Sequence, residues 1–231
     1  MPSIRSGYRA VAEAISRARV VTIIAICIIA GIGLVLVKLA REVDEKETYG
    51  VDKRILLDIH AHATPVLDNI IVHTTDIGSP LCALIIAGII GLFLLYRRRM
   101  YQLLIVWGCM VGAAGFAFII KVLIERPRPQ LWSEQLVHET GFSFISGHAT
   151  MSMTLVLALI AVLWKTKWRW WMIIGGAAYA LFVSFSRLYL GVHYPTDILG
   201  GWLVAVAWTL VVVLVVQMIQ DKKLLNLRKN H

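Results

Sequence analysis

Gly141-Phe142-Ser143-Phe144-Ile145-Ser146-Gly147-His148 runs straight into the apolar stretch Ala149 to Trp164. A Ser-Gly pair at a helix start presents backbone N–H groups and the positive end of a helix dipole, a natural place for a phosphate. His148 stands at the rim of that turn, with a side chain suited to proton transfer near neutral pH. Two other polar islands flank the turn, Lys121 to Pro129 and Ser186 to Asp197. The rest of the chain reads as membrane, or as the means of holding these three pieces together.

Composition supports that division. The chain has 231 residues, 58% of them hydrophobic and only 16% charged, with a mean hydropathy of +0.74. A soluble domain of this length carries more charge. Several runs approach the roughly 20 apolar residues that cross a bilayer. Strand-like alternation is absent, so the fold class is all-α: one integral membrane domain, 1–231, built as a bundle of six transmembrane helices. The expected spans are Val20 to Val37, Pro80 to Tyr96, Tyr101 to Ile124, Ala149 to Trp164, Trp170 to Phe185 and Ile198 to Ile219. A cleaved signal peptide in place of the first would put Lys38 where a small residue is wanted. Gly108 and Gly112 form a small-xxx-small pair that permits close helix contact.

Residues 1–19 carry Arg5, Arg9, Arg17 and Arg19 and read as a basic cytoplasmic tail. Ile4, Tyr8, Val11 and Ile15 recur at helical spacing, which suits a short amphipathic helix on the lipid surface; a frayed tail fits equally well. Residues 41–78 are the longest polar stretch and are expected to form an extracytoplasmic cap of short helices. Asp52 is placed as the cap of a helix running to about His62. Thr64-Pro65 opens a second, and Gly78-Ser79-Pro80 ends it and starts the next span. Cys27, Cys82 and Cys109 all lie in apolar runs, with no zinc or disulfide spacing.

The formal net charge is +9, which taken alone suggests nucleic acid. Its placement points instead to topology. With six spans, the termini, Arg97–Arg99 and Lys165–Arg169 share one side. That side holds fourteen Lys and Arg but only two acids, Glu13 and Asp221. The positive-inside rule puts it in the cytoplasm, next to anionic lipid. The same parity gathers all three polar islands at the outer face.

Lys121, Arg128 and Arg187 are then fixed cations aimed at one region. Arg recognises phosphate bidentately and Lys acts as a compact point charge. Left unpaired beside hydrocarbon they are costly, and an anionic ligand relieves that cost. The alternatives are snorkelling to headgroups or pairing with Glu125 and Asp197. His193 and Asp197 lie four apart in what should be the first turn of the sixth span, so the carboxylate can reach back and fix the imidazole tautomer. An oriented neutral imidazole beside a cationic cradle is a good nucleophile toward phosphorus. His148 supplies a proton for the departing oxygen.

These residues carry a resemblance. The chain resembles the type-2 phosphatidic acid phosphatase family, membrane lipid phosphatases related to vanadium haloperoxidases. That family's three motifs are Lys-x6-Arg-Pro, Pro-Ser-Gly-His and Ser-Arg-x5-His-x3-Asp. Here they stand as Lys121 to Arg128-Pro129, Ile145-Ser146-Gly147-His148, and Ser186-Arg187 through His193 to Asp197. The resemblance implies a haloperoxidase-like helical core with catalytic motifs over 121–197. It implies His193 as nucleophile forming a phosphohistidine, Asp197 orienting it, and His148 protonating the leaving group. Lys121, Arg128, Arg187 and the Ser146-Gly147 turn would hold phosphate oxygens, with no cofactor and no metal. The implied reaction is dephosphorylation of a lipid phosphate, such as phosphatidylglycerophosphate or phosphatidate, at the outer face.

Ile145 replaces the family's proline, which stiffens the turn without contributing chemistry. The expectation is a looser or shifted loop with the roles intact. His60, His62, His73 and His138 read as structural, and Gln130, Leu131 and Trp132 as lining an entrance. The expected partners are the substrate and membrane lipids, with no nucleic acid and no obligate protein partner. Two rivals stay open: an undecaprenyl pyrophosphate phosphatase with the same cradle, and a transporter or non-catalytic lipid-binding protein.

Overall fold

The computed structural model describes residues 20–223 with their side chains, and helical backbone from Ser3 to Lys229. The expected basic tail at 1–19 lies outside the residues described in full. The elements are α1 (Ser3–Asp44), α2 (Tyr49–Ala61), α3 (Pro65–Thr74), a 3₁₀ turn (Thr75–Gly78), α4 (Pro80–Tyr96), α5 (Met100–Ile124), α6 (Gly147–Leu163), α7 (Arg169–Tyr189) and α8 (Pro195–Lys229). No strand occurs among the described residues, as the all-α reading requires.

Helix starts follow local chemistry. Thr64, Ser79 and Ser146 each turn a hydroxyl back onto an N–H three residues on, and proline occupies the first helical position after Thr64 and Ser79. Both devices satisfy or remove donors that a helix start leaves unpaired. Asp52 is a correction. α2 begins earlier, at Tyr49, with Thr48 as its flanking residue, and Asp52 lies buried in the first turn. Its carboxylate is claimed by tertiary partners described below.

α6 is the central rod. It packs against α5, α7 and α8, while α8 also packs against α5 and α1. Ala83, Ala87, Val106, Met110, Ala113, Met151 and Leu155 close the α4–α5–α6 core. Gly108 and Gly112 are used as their spacing suggests. Trp208 of α8 lies across them and donates its indole N–H to the Gly108 carbonyl at 2.8 Å. A Cβ on Gly112 would meet that ring at 2.0 Å. Outward-facing side chains are apolar: Leu34 and Leu123 are 74% exposed and Trp171 75%. So much exposed hydrocarbon fits a lipid surround rather than water.

Among the described residues, four helices are long and apolar enough to cross a bilayer: Val20–Asp44, Met100–Ile124, Arg169–Tyr189 and Pro195–Lys223. The first therefore continues beyond the expected Val37. α4 and α6 are apolar but have 17 residues each, a rise of about 26 Å against a hydrocarbon core of about 30 Å. α2 and the α3–3₁₀ unit, bent by 116°, together also pass as one broken span. By length and composition the described residues thus give four spans, or five with the bent pair, with α4 and α6 as shorter apolar helices beside them, and the expected count of six is not confirmed on these criteria.

The end of the bundle carrying the polar islands is tightly seated. A Cβ on Gly200 would meet Ile145 at 2.7 Å, and one on Gly201 would meet Thr150 at 2.7 Å and the Ser146 carbonyl at 3.1 Å. The first turns of α8 thus press directly on the Ser146 turn. Ile145 is fully buried with Phe144, in a cluster with Leu39, Val43, Ala117 and Val204.

Candidate active site

Four chain segments meet at this end of the bundle. α5 brings Lys121 in its last turn, α6 brings His148 in its first, α7 ends with Arg187, and α8 begins with Asp197. The segment between α5 and α6 lies across them with Arg126, Arg128 and Glu139. Gly191 turns the α7–α8 link in the left-handed region at φ 65°. A Cβ there would also strike Trp132 at 2.2 Å. That turn returns the chain so that His193 faces the groups it follows.

His193 is buried, with its two ring nitrogens facing opposite surroundings. Nδ1 lies 3.4 Å from Asp197 Oδ2, and Nε2 lies 3.3 Å from Arg128 Nη1. Asp197 Oδ2 also accepts the Tyr194 N–H at 2.8 Å. Burial is the main cause that lowers the His193 pKa to about 3; the Arg128 and Arg187 charges act in the same direction, and Asp197 opposes them. The imidazole is therefore neutral over the whole physiological range. An oriented neutral ring with one nitrogen on a carboxylate and the other open to cations is competent as a nucleophile.

The cations converge. Arg128 donates Nη1 to the Val192 carbonyl at 2.9 Å, Nε to the Gly141 carbonyl at 3.1 Å and Nη2 to the Thr140 carbonyl at 3.2 Å. Burial lowers its pKa and Asp197 opposes this. Arg187 donates Nη1 to Thr75 Oγ1 at 3.0 Å, while its buried Nε has no partner among the described residues. Lys121 donates Nζ to the Phe142 carbonyl at 3.0 Å and lies within charge range of Arg128, Arg187 and Asp197. His148 lies within range of Lys121, Arg128 and Asp76.

The Ser146 turn is more committed than its sequence suggests. Its N–H donates to the Asp197 carbonyl at 3.1 Å, and its buried Oγ accepts the Ala149 N–H at 3.4 Å. The N–H groups of Gly147 and His148, first in α6, are the ones left at the open helix end. Ser146 therefore shapes the turn at the start of α6 more than it lines the open helix end.

Two groups were missed by sequence reasoning. Glu139 bridges the cradle: one carboxylate oxygen lies 2.9 Å from Arg128 Nη1 and the other pairs with Arg187 Nη2. A lone acid in a polar loop carries no signal of this. Glu125, the partner weighed from sequence, instead ends α5 in a left-handed conformation at φ 48°. The second is Arg126, whose ion pairs run to Asp52 and Asp197 at 2.7 and 2.6 Å. The repeated Arg-Pro of Arg126-Pro127-Arg128-Pro129 was its available signal. The outer histidines are engaged structurally: His60 stacks on Trp132 with centroids 4.0 Å apart, and His62 and His73 each bond the carbonyl four residues back. Among the described residues no three His, Cys, Asp or Glu side chains converge as a metal site.

The chain is similar to known proteins. A family model described as the PAP2 superfamily matches residues 102–221. Phosphatidylglycerophosphatase B of Bacillus subtilis is 32% identical over 144 residues, covering 60% of this chain and 70% of that protein. Undecaprenyl-diphosphatase BcrC of the same organism is 28% identical over 151 residues, covering 63% and 73%. The crystal structure of a transmembrane PAP2-type phosphatidylglycerolphosphate phosphatase from Bacillus subtilis superposes with a TM-score of 0.69 at 25% identity, covering 84% of this chain and 96% of that one.

Proposed function

The chain belongs to the PAP2 superfamily, and from that premise we propose that it hydrolyses a lipid phosphate through a phosphohistidine on His193. The observation that carries this reading is the division of the His193 ring, Nδ1 on Asp197 and Nε2 in the arginine cradle. Nε2 attacks phosphorus while Asp197 holds the Nδ1 proton and supports the charge the ring acquires. Lys121, Arg128, Arg187 and the N–H groups of Gly147 and His148 hold the phosphate oxygens. They stabilise the charge that develops on those oxygens in the transition state. His148 protonates the departing lipid alkoxide and then, as base, activates the water that frees phosphate.

The substrate is a membrane phosphate monoester of the phosphatidylglycerophosphate or phosphatidate type. The phosphate end reaches the cradle while the acyl chains stay among exposed apolar helix faces. The distribution of Lys and Arg along the chain supports cytoplasmic termini and a cradle at the extracytoplasmic face. Residues 41–78 then lie at that outer face beside the catalytic segment. A second reading, hydrolysis of undecaprenyl diphosphate, draws on the likeness to BcrC.

The test is phosphate release by the purified protein in EDTA, from phosphatidylglycerophosphate, phosphatidate and undecaprenyl diphosphate in parallel. Faster turnover of the diacyl monoesters is expected, and preference for the diphosphate selects the second reading. His193→Ala should lose at least about 10⁴-fold in kcat, as expected for loss of a covalent nucleophile. Full activity in that variant removes His193 from its role.

A further inference from the structure

Behind His193, on the side away from the cradle, lies a buried chain of alternating charge. Asp52 of α2 accepts Arg126 Nη2 at 2.7 Å on Oδ2. The same oxygen accepts the Thr196 hydroxyl at 2.6 Å, and Oδ1 accepts the Thr196 N–H at 3.1 Å. Arg126 Nη1 donates to Asp197 Oδ1 at 2.6 Å and to Thr196 Oγ1 at 2.8 Å. The guanidinium lies 3.9 Å above the Tyr194 ring centroid. Asp52, Arg126 and Asp197 are 1%, 7% and 0% exposed.

We propose that Arg126, held by Asp52 and Tyr194, is a positioning residue for the hydrolysis described above, acting on His193 through Asp197. The inference rests on that reading of the site. Its geometry is specific. Arg126 takes one oxygen of the Asp197 carboxylate, the Tyr194 N–H and His193 share the other, and the carboxylate cannot rotate without losing one side. A charge-assisted fork at this distance sets an orientation that a mobile cation does not. Electrostatics add a second role. Arg126 offsets part of the Asp197 charge, so the carboxylate orients the imidazole without drawing a proton onto it. Asp52 in turn balances Arg126, so the buried triad carries one net negative charge. This also gives α2 a task beyond covering the site: it supplies the residue that anchors the nucleophile's support.

Arg126→Gln removes the charge and the fork; Arg126→Lys keeps the charge alone. Both are compared with Asp197→Asn and the Arg126→Gln/Asp197→Asn double variant, in detergent, on the diacyl monoester the unsubstituted protein turns over. Arg126→Gln should lower kcat on the order of 10²-fold, the scale of a misplaced catalytic group, with KM within threefold because the cradle is untouched. Arg126→Lys should recover part of that loss.

The pH profile separates positioning from mere stability. His193 lies within charge range of Asp197 of α8, Arg128 of the loop and Arg187 of α7; Lys121 of α5, His148 of α6 and Glu139 of the loop lie in turn against those arginines. Removing Arg126 frees the Asp197 charge, which favours imidazolium. The acid limb of kcat/KM should therefore move to higher pH in Arg126→Gln and stay in place in Arg126→Lys. The double variant should lose little beyond Asp197→Asn alone, since coupled residues are non-additive. Normal kcat in Arg126→Gln with an impaired Asp197→Asn overturns the inference and leaves the phosphatase reading standing. So does an effect that adds fully to Asp197→Asn, or a fall in kcat with an unmoved acid limb. Failure of the unsubstituted protein to release phosphate from any lipid overturns both.

Discussion

Arg126 and Arg128 are separated by one proline, yet they stand on opposite sides of His193. Arg126 is sealed between two carboxylates, with side-chain exposures of 7% for itself, 1% for Asp52 and 0% for Asp197. Arg128 shares the carboxylate of Glu139 with Arg187, and the Arg128–Glu139 pair is more open, at 13% and 23%. Charge is balanced differently on the two sides. Behind the ring, signs alternate along the chain of contacts. In front of it, three cations, Lys121, Arg128 and Arg187, stand against Glu139 and, within charge range of Arg187, Asp76. A buried ion network of matched sign holds a geometry, because breaking one partner strands the other. A surplus of cations holds a site for an anion that comes and goes. Substitutions on the two sides should therefore fail in different ways.

The largest difference lies in the cradle. Arg187→Gln removes Nη2, which pairs with Glu139, and Nε, which has no partner among the described residues, the two donors that the proposed reading gives to phosphate. By analogy with loss of an oxyanion-hole donor, kcat/KM should fall on the order of 10²- to 10³-fold. Product phosphate should weaken as an inhibitor in parallel. Substitution behind the ring should leave that inhibition nearly unchanged. If Arg187→Gln alters kcat while phosphate inhibits as before, the front of the site is not the anion side.

A smaller effect comes from His193 itself. Burial holds its folded pKa near 3, below the value of about 6.5 in an unfolded chain. As pH falls, the unfolded chain takes up the proton first. The contribution to stability is therefore complete above about pH 6.5 and declines between there and about pH 3. The decline is about 1.4 kcal/mol per pH unit. Thermal unfolding in detergent should show a steeper loss between pH 6 and 4 for the unsubstituted protein than for His193→Gln. Identical slopes would mean that the buried ring is not kept neutral by its surroundings.

How far the sequence foretold this contrast depends on the kind of contact. Long apolar runs announced the helical bundle, because hydrocarbon leaves the backbone no other partner. The short lengths of α4 and α6 are visible in the sequence too, and length alone does not count these two apolar helices among the spans. Lys121, Arg128, His148, Arg187, His193 and Asp197 were legible because each lies at a helix end or within a few residues of one, and the structure brings those ends together. Ile145 was expected to loosen or shift its turn with the roles intact; its side chain is buried with Phe144 against Val204. Asp52 was misread because a first-turn acid ordinarily caps or meets water. Its partner lies 74 residues away, across a contact that periodicity does not encode. Glu139 was silent for the same reason, sitting in a segment with no helical or strand pattern at all.

Glu139 gives the finest probe of the two-sided arrangement. Its carboxylate bridges Arg128 and Arg187 with one oxygen to each, charge-assisted contacts of the kind arginines also make with phosphate oxygens. An incoming lipid phosphate must displace it, or share the arginines with it against like-charge repulsion. Glu139→Gln keeps the shape and removes the charge, so the arginines lose a competitor. Affinity for vanadate and inorganic phosphate should rise by several-fold, and KM for the lipid should fall by a similar factor. kcat should change less, since His193 and Asp197 keep their contacts. The gain should be largest above neutral pH, where phosphate is fully dianionic and repulsion by a carboxylate is greatest. Weaker vanadate binding in Glu139→Gln would reverse the assignment: the carboxylate would then be holding the arginines in place for the anion rather than occupying its position.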